Sequence, residues 1–100
     1  MVTVANRITK LFESGKKEIL SVFYTAGFPH LNDTGTIAVA LEKAGADIIE
    51  IGVPFSDPVA DGPTIQASNK VALDNGMSVR LLLQQVRELR TEVSIPVILM

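Results

Sequence analysis

The run Asp47-Ile48-Ile49-Glu50-Ile51-Gly52-Val53 sets one carboxylate among apolar residues. A strand this apolar is typical of parallel strands that are covered by helices on both faces. Burying an ionised carboxylate is costly unless the group is paired or protonated. Burial also shifts a carboxyl group toward the range that suits proton transfer. We therefore interpret Glu50 as a functional residue on a buried strand.

Composition excludes several classes of protein. The chain has 100 residues, no cysteine, one histidine (His30) and a net charge of -2. Its length predicts at most one small domain. Its charge offers no electrostatic case for nucleic acid or a membrane surface, and the cysteine and histidine counts exclude disulfides and Cys or His metal clusters. Without a signal peptide or an apolar span of ~20 residues, we predict a cytoplasmic protein.

Apolar spacing and turn residues predict seven elements. In order they are a helix carrying Ile8, Leu11 and Phe12, a strand from Ile19 to Thr25, a helix beginning at Asn32 or Asp33, a strand from Asp47 to Val53, a helix beginning at Pro63, a helix capped by Ser78, and a strand from Pro96 to Met100. Alternating strands and helices imply a parallel sheet with right-handed crossovers. No dinucleotide or P-loop pattern is present.

This order fits the front of a (β/α)₈ barrel, whose active site gathers at the carboxyl ends of the strands. A full barrel needs about 250 residues, so these three strands are less than half of one. The final apolar run, Ile95 to Met100, has no polar tail after it, and we interpret the chain as the front part of a larger protein. From periodicity alone, a doubly wound open sheet also stays possible.

Side chains alternate along a strand, so Glu50 and Gly52 share one face and Ile49 lies on the other. If the Ile49 face packs on helices, Glu50 points into the barrel interior near its upper rim. Gly52 on the same face then leaves room for a ligand. The alternative is an edge strand on which Glu50 is simply solvated.

Two further carboxylates, Asp57 and Asp61, lie in the loop that follows. One buried and one loop carboxylate are what a split between acid and base roles requires. Both aspartates also have a simpler explanation, because Asp is a common turn former and Asp61 precedes the positive end of a predicted helix. A lone histidine in a loop, as at position 30, is most often a surface residue.

One long stretch resembles a known family. Residues Ala44 to Gln66, AGADIIEIGVPFSDPVADGPTIQ, are similar to the signature of the tryptophan synthase alpha subunit. The segments FYTAGFP, beginning at Phe23, and IPVILM, beginning at Ile95, resemble the family's first and third strands. The resemblance implies a TIM barrel with an extra N-terminal helix, here only its N-terminal part, with residues 1–100 belonging to a single barrel domain.

The resemblance also implies a reaction and its residues. The reaction is the reversible retro-aldol cleavage of indole-3-glycerol phosphate to indole and glyceraldehyde 3-phosphate, in tryptophan biosynthesis. Glu50 matches the acid/base glutamate and Asp61 the second catalytic aspartate. The loop around Asp57 faces a beta subunit, which holds pyridoxal phosphate, in an alpha2-beta2 tetramer. The family's phosphate-binding loops lie in later strands, so we expect this chain alone to be inactive.

Two other hypotheses are open at this point. The first is a non-catalytic module, a half-barrel that covers its unpaired strand edge by self-association. The second is a different phosphate-handling TIM-barrel enzyme, against which the stretch from Glu50 to Gln66 argues.

Overall fold

The fold is a three-stranded parallel sheet with four helices among the residues that the structure, a computed structural model, describes: 6–55 and 61–100. The elements are α1 (Arg7–Glu13), β1 (Ser21–Thr25), α2 (Asp33–Ala44), β2 (Ile48–Gly52), α3 (Pro63–Asp74), α4 (Val79–Leu89) and β3 (Val97–Leu99). The strands lie in the order β1-β2-β3, and both pairings are parallel. The predicted order of elements is confirmed, although each strand is shorter than the apolar run that predicts it.

The middle strand, β2, divides the molecule into two faces. Ile49 and Ile51 are fully buried. They belong to the main core cluster, whose other buried members are Ala26, Ala38, Ala72, Met77, Leu82, Leu89 and Val93. Because these residues come from α2, α3, α4 and the adjoining loops, the Ile49 face packs on helices as expected. The edge-strand alternative is wrong, because β2 pairs with a strand on each side.

The helix ends follow local rules. Ser78 Oγ accepts a hydrogen bond from Leu81 N at 3.2 Å and caps α4 as predicted. Pro63 occupies the first turn of α3, where its missing N–H costs nothing. Gly45 ends α2 with φ 108°, a left-handed conformation that favours glycine. These local signals mark the end of α2 and the beginnings of α3 and α4.

The first helix does not bury the apolar face that its sequence predicts. No residue of α1 is buried by the described part of the chain, and Phe12 is 61% exposed. The helix is attached through Arg7, whose Nη1 donates to Ser94 O at 3.0 Å. Among the described residues, no helix has the length and apolar character needed to cross a membrane.

At the amino end of the sheet, a carboxylate fixes the start of β3. Glu42 Oε2, near the end of α2, accepts hydrogen bonds from Ser94 N at 2.8 Å and Ile95 N at 3.1 Å. We call these three residues the Glu42 clamp. The backbone N–H of Ser94, then that of Ile95, holds the pKa of Glu42 below its usual range.

A second carboxylate joins the starts of β1 and β2. Asp47 accepts hydrogen bonds from Lys16 Nζ and, at 2.9 Å, from Leu20 N. The Lys16 side chain, followed by the Leu20 N–H, lowers the pKa of Asp47. The amino ends of all three strands are therefore held by charge-assisted hydrogen bonds.

We predict that Glu42→Gln destabilises the full-length protein by about 1 kcal/mol near neutral pH, because two hydrogen bonds lose a charged acceptor that is still partly in contact with water. A lowered pKa in the folded state means that the stabilisation is complete above the ordinary glutamate pKa. It is lost as pH falls through the lowered value. Thermal unfolding of both proteins between neutral and acid pH measures the difference.

The control is Glu18→Gln, which removes an exposed carboxylate ahead of β1 and changes the net charge equally. It should leave the stability almost unchanged at each pH. A stability difference for Glu42→Gln that does not shrink in acid would contradict the clamp.

Candidate active site

Glu50 lies on the face of β2 opposite Ile49, Ile51 and the main core cluster. It is register partner to Phe23 on β1 and to Ile98 on β3. The glutamate is half-buried, whereas Ile48 on the same face is buried, so the burial predicted for both faces of the strand is only partial at Glu50. The reason is that the main core cluster forms around Ile49 and Ile51 on the other face. The carboxylate is thus fixed to a rigid strand while keeping access to a ligand.

The space over Gly52 is not free. A Cβ atom built on Gly52 would lie 2.6 Å from Phe23 Cζ, so the aromatic ring already packs against this glycine. The expectation of room for a ligand directly above Gly52 is wrong. Gly52 instead leaves space for the ring of Phe23, which is 38% exposed and belongs to the register partner of Glu50. A partly exposed aromatic ring beside a carboxylate offers an apolar contact and a polar group to one ligand.

Asp61 lies at the end of the connection that follows β2, two residues before α3 begins. Its side chain is exposed. Its backbone is held by Gln66, whose Nε2 donates to Asp61 O at 2.8 Å. The N-cap of α3 is Gly62, which has no side chain, and Asp61 is therefore not the helix cap. Glu50 and Asp61 flank one connection at the carboxyl end of β2.

Asp57 lies outside the described residues, which exclude 56–60. Its predicted place in a partner-facing loop stays a prediction. Within residues 6–55 and 61–100, no group of three or more His, Asp or Glu side chains is arranged to hold a metal ion.

Three hydrogen-bonding side chains on α3 and its C-cap attach this helix to its surroundings. Besides Gln66, Ser68 Oγ lies 2.8 Å from Thr25 Oγ1 at the end of β1. Asn75 Nδ2 donates to Gly27 O at 3.0 Å and to Pro29 O at 2.9 Å in the β1–α2 loop. Sequence reasoning missed the contacts of Ser68 and Asn75, because their partners are more than 40 residues away and no local pattern marks them.

The remaining polar groups near the β1–α2 loop have structural roles. His30 is exposed, and its Nδ1 lies 2.9 Å from Asp33 Oδ2, which agrees with its interpretation as a surface residue. Tyr24 OH donates to Thr34 O at 2.7 Å. Burial raises the pKa of Tyr24, and its hydroxyl is already engaged as a donor to α2.

Comparison with known proteins gives consistent matches. The family model described as tryptophan synthase alpha chain matches residues 9–100. The tryptophan synthase alpha chain of Parabacteroides distasonis is 58% identical over 95 residues, which make up 95% of this chain and 37% of the relative. This chain therefore spans little more than a third of the length of the relatives that it matches.

Solved structures agree. A crystal structure of tryptophan synthase subunit alpha from Legionella pneumophila matches with TM-score 0.92 and 40% identity, over 97% of this chain and 38% of that one. A chain of the tryptophan synthase complex from Pyrococcus furiosus matches with TM-score 0.76 and 44% identity, over 82% of this chain and 34% of that one. The three parallel strands thus match part of a TIM barrel, and the doubly wound alternative is wrong.

Proposed function

Because this chain belongs to the tryptophan synthase alpha chain family, we propose that it forms the N-terminal part of a carbon–carbon lyase. The substrate is indole-3-glycerol phosphate and the products are indole and glyceraldehyde 3-phosphate. The observation that carries the proposal is the position of Glu50. It lies half-buried on the central strand, beside the ring of Phe23 and opposite the packed core.

Glu50 serves as the general acid and base. Cleavage of the bond between indole C3 and the glycerol side chain requires a proton to be added at C3. It also requires a proton to be removed from the hydroxyl that becomes the aldehyde. A single carboxyl group held on a strand can give the first proton and accept the second. Its backbone is fixed by pairing on both sides, which limits its motion between the two positions.

Asp61 acts electrostatically. Protonation at C3 builds positive charge on the indole ring nitrogen, and an ionised carboxylate that accepts the ring N–H stabilises that charge. The exposed position of Asp61 leaves its carboxylate accessible to the ring of a bound ligand. The two carboxylates then divide the chemistry by environment, with proton transfer at Glu50 and charge stabilisation at Asp61.

The complete protein is proposed to bind a beta subunit as an alpha2-beta2 tetramer in the cytoplasm. Pyridoxal phosphate belongs to that partner, which receives the indole. Support comes from the matched structure described as a tryptophan synthase complex from Pyrococcus furiosus. The loop containing Asp57 stays the predicted contact with the partner.

We predict that Glu50→Gln lowers indole formation by the full-length protein about 10²–10⁴-fold, the usual contribution of general acid–base catalysis. The substitution keeps the shape of the side chain and removes its ability to transfer protons. Initial rates of indole release measure the loss, and circular dichroism checks the fold. Glu88→Gln on the surface of α4 is the matched control; a Glu50 variant as active as this control would refute the assignment.

We expect Asp61→Asn to lower turnover about 10²–10³-fold, as loss of a group that stabilises transition-state charge does. The melting temperature should change little, because the side chain is exposed. Asp74→Asn, at the other end of α3, serves as the control. If Asp61→Asn mainly lowers the melting temperature and spares turnover, Asp61 has only a structural role.

A second candidate function is self-association of the polypeptide made of residues 1–100. Among the described residues, β1 and β3 each pair on one side only. Leu99 and Met100 beside the open edge of β3 are 38% and 64% exposed. An unpaired strand with exposed apolar residues recruits another chain, and a second copy supplies the same edge.

We predict that this polypeptide is dimeric or larger at micromolar concentration and releases no indole, because no described loop resembles a phosphate cradle. Light scattering and an indole assay test both statements. Leu99→Lys, which charges the edge of β3, should shift the species toward the monomer, whereas Val79→Lys on α4 should not. A folded monomer that releases indole would overturn the prediction.

A further inference from the structure

We propose that the hydroxyl pair of Thr25 and Ser68 positions α3, and through it Asp61, for catalysis. The inference rests on the function proposed above. Thr25 and Ser68 are then positioning residues, and we expect neither of them to touch the substrate or the reacting atoms. The pair is buried, with Thr25 4% and Ser68 8% exposed, and their oxygens lie 2.8 Å apart.

Helix α3 holds the backbone of Asp61 through Gln66. Gln66 Nε2 donates to Asp61 O at 2.8 Å, and Gln66 N donates to Gly62 O at 3.0 Å. The backbone of Asp61 is thus joined to the first turn of α3 by the side chain of a residue within that helix. A shift of the helix therefore carries the backbone of Asp61 with it.

Helix α3 is in turn fixed to β1 through a hydroxyl contact. The helix packs against the end of β1, where Ser68 meets Thr25. Ser68 Oγ also lies within donor distance of Ile65 O, at 3.0 Å. When Ser68 gives its hydrogen to that carbonyl, Thr25 must donate to Ser68 Oγ. The result is a directed chain, from Thr25 through Ser68 to Ile65, that sets both the rotation and the height of the helix on the sheet.

Thr25 is also connected to the strand that carries Glu50. Thr25 is the register partner of Gly52, and Ala26 N donates to Gly52 O at 3.0 Å. Gly52 lies two residues beyond Glu50 on the same face of β2. The backbone of Thr25 is therefore fixed to the strand of Glu50, while its side chain is fixed to the helix that holds Asp61. The hydroxyl pair is the junction between the supports of the two proposed catalytic residues.

A merely structural hydrogen bond would affect the melting temperature alone. A positioning bond should also lower turnover, because small displacements of a catalytic group cost up to about 10²-fold in rate. KM should change much less than kcat, because the positive charge that Asp61 stabilises builds up only on the way to the transition state. The effect must also disappear when Asp61 itself is absent, since the pair acts through that residue.

The experiment measures kcat and KM for indole release by the full-length protein and four variants: Thr25→Val, Ser68→Ala, their double variant, and Thr25→Ser. Thr25→Val keeps the shape and removes the hydroxyl, and Ser68→Ala places a good helix former in α3. We expect about a tenfold loss in kcat for each, no further loss in the double variant, and recovery in Thr25→Ser. Thr91→Val, near the end of α4, is the control.

A second cycle places Ser68→Ala in the Asp61→Asn background, where it should cause no further loss in kcat. If kcat is unchanged by Thr25→Val and Ser68→Ala, or if Ser68→Ala still lowers kcat in that background, the positioning role is wrong. Failure of the proposed function looks different. In that case the unmodified protein releases no indole, or Glu50→Gln leaves its rate intact.

Discussion

Packing of Ile49 and Ile51 against the helices is the constraint on which the rest of the structure depends. Both residues are fully buried, and successive strand residues point to opposite faces. A slip of one residue would bring Glu50 into the apolar layer and expose both isoleucines. The core therefore selects the register, and the register in turn delivers Glu50 to the open face. The alternation of side chains along β2 therefore serves both the stability of the core and the proposed chemistry of Glu50.

The two ends of the sheet have different tasks. At the amino end, Glu42 and Asp47 accept hydrogen bonds from backbone N–H groups of distant segments. These charge-assisted hydrogen bonds hold the strands together. At the carboxyl end, Glu50 and Asp61 flank a connection, and neutral hydroxyl and amide groups hold the supporting helix. This division agrees with barrels in which stability resides at one end and catalysis at the other.

The sequence alone predicts the order of elements and the face on which Glu50 lies, because both follow from local periodicity and turn residues. The bond between Thr25 and Ser68 could not be predicted in this way, since it joins residues 43 positions apart. The ring of Phe23 over Gly52 is another long-range contact that no local rule contains. Phe12 is exposed although its sequence pattern predicts burial. An apolar pattern indicates which residues can be buried, but it does not identify the segment that covers them.

The strand order has a consequence for how such a barrel is completed. Because β1, β2 and β3 pair in the order of synthesis, each new strand can add to the one before it. In a closed barrel of this order, the outer edge of β1 must pair with the last strand to be made. That edge therefore stays open from the beginning of synthesis to its end. The edge of β1 is therefore open to pairing with a strand of another chain for longer than any other edge. Chaperones that prevent such pairing have their largest effect there.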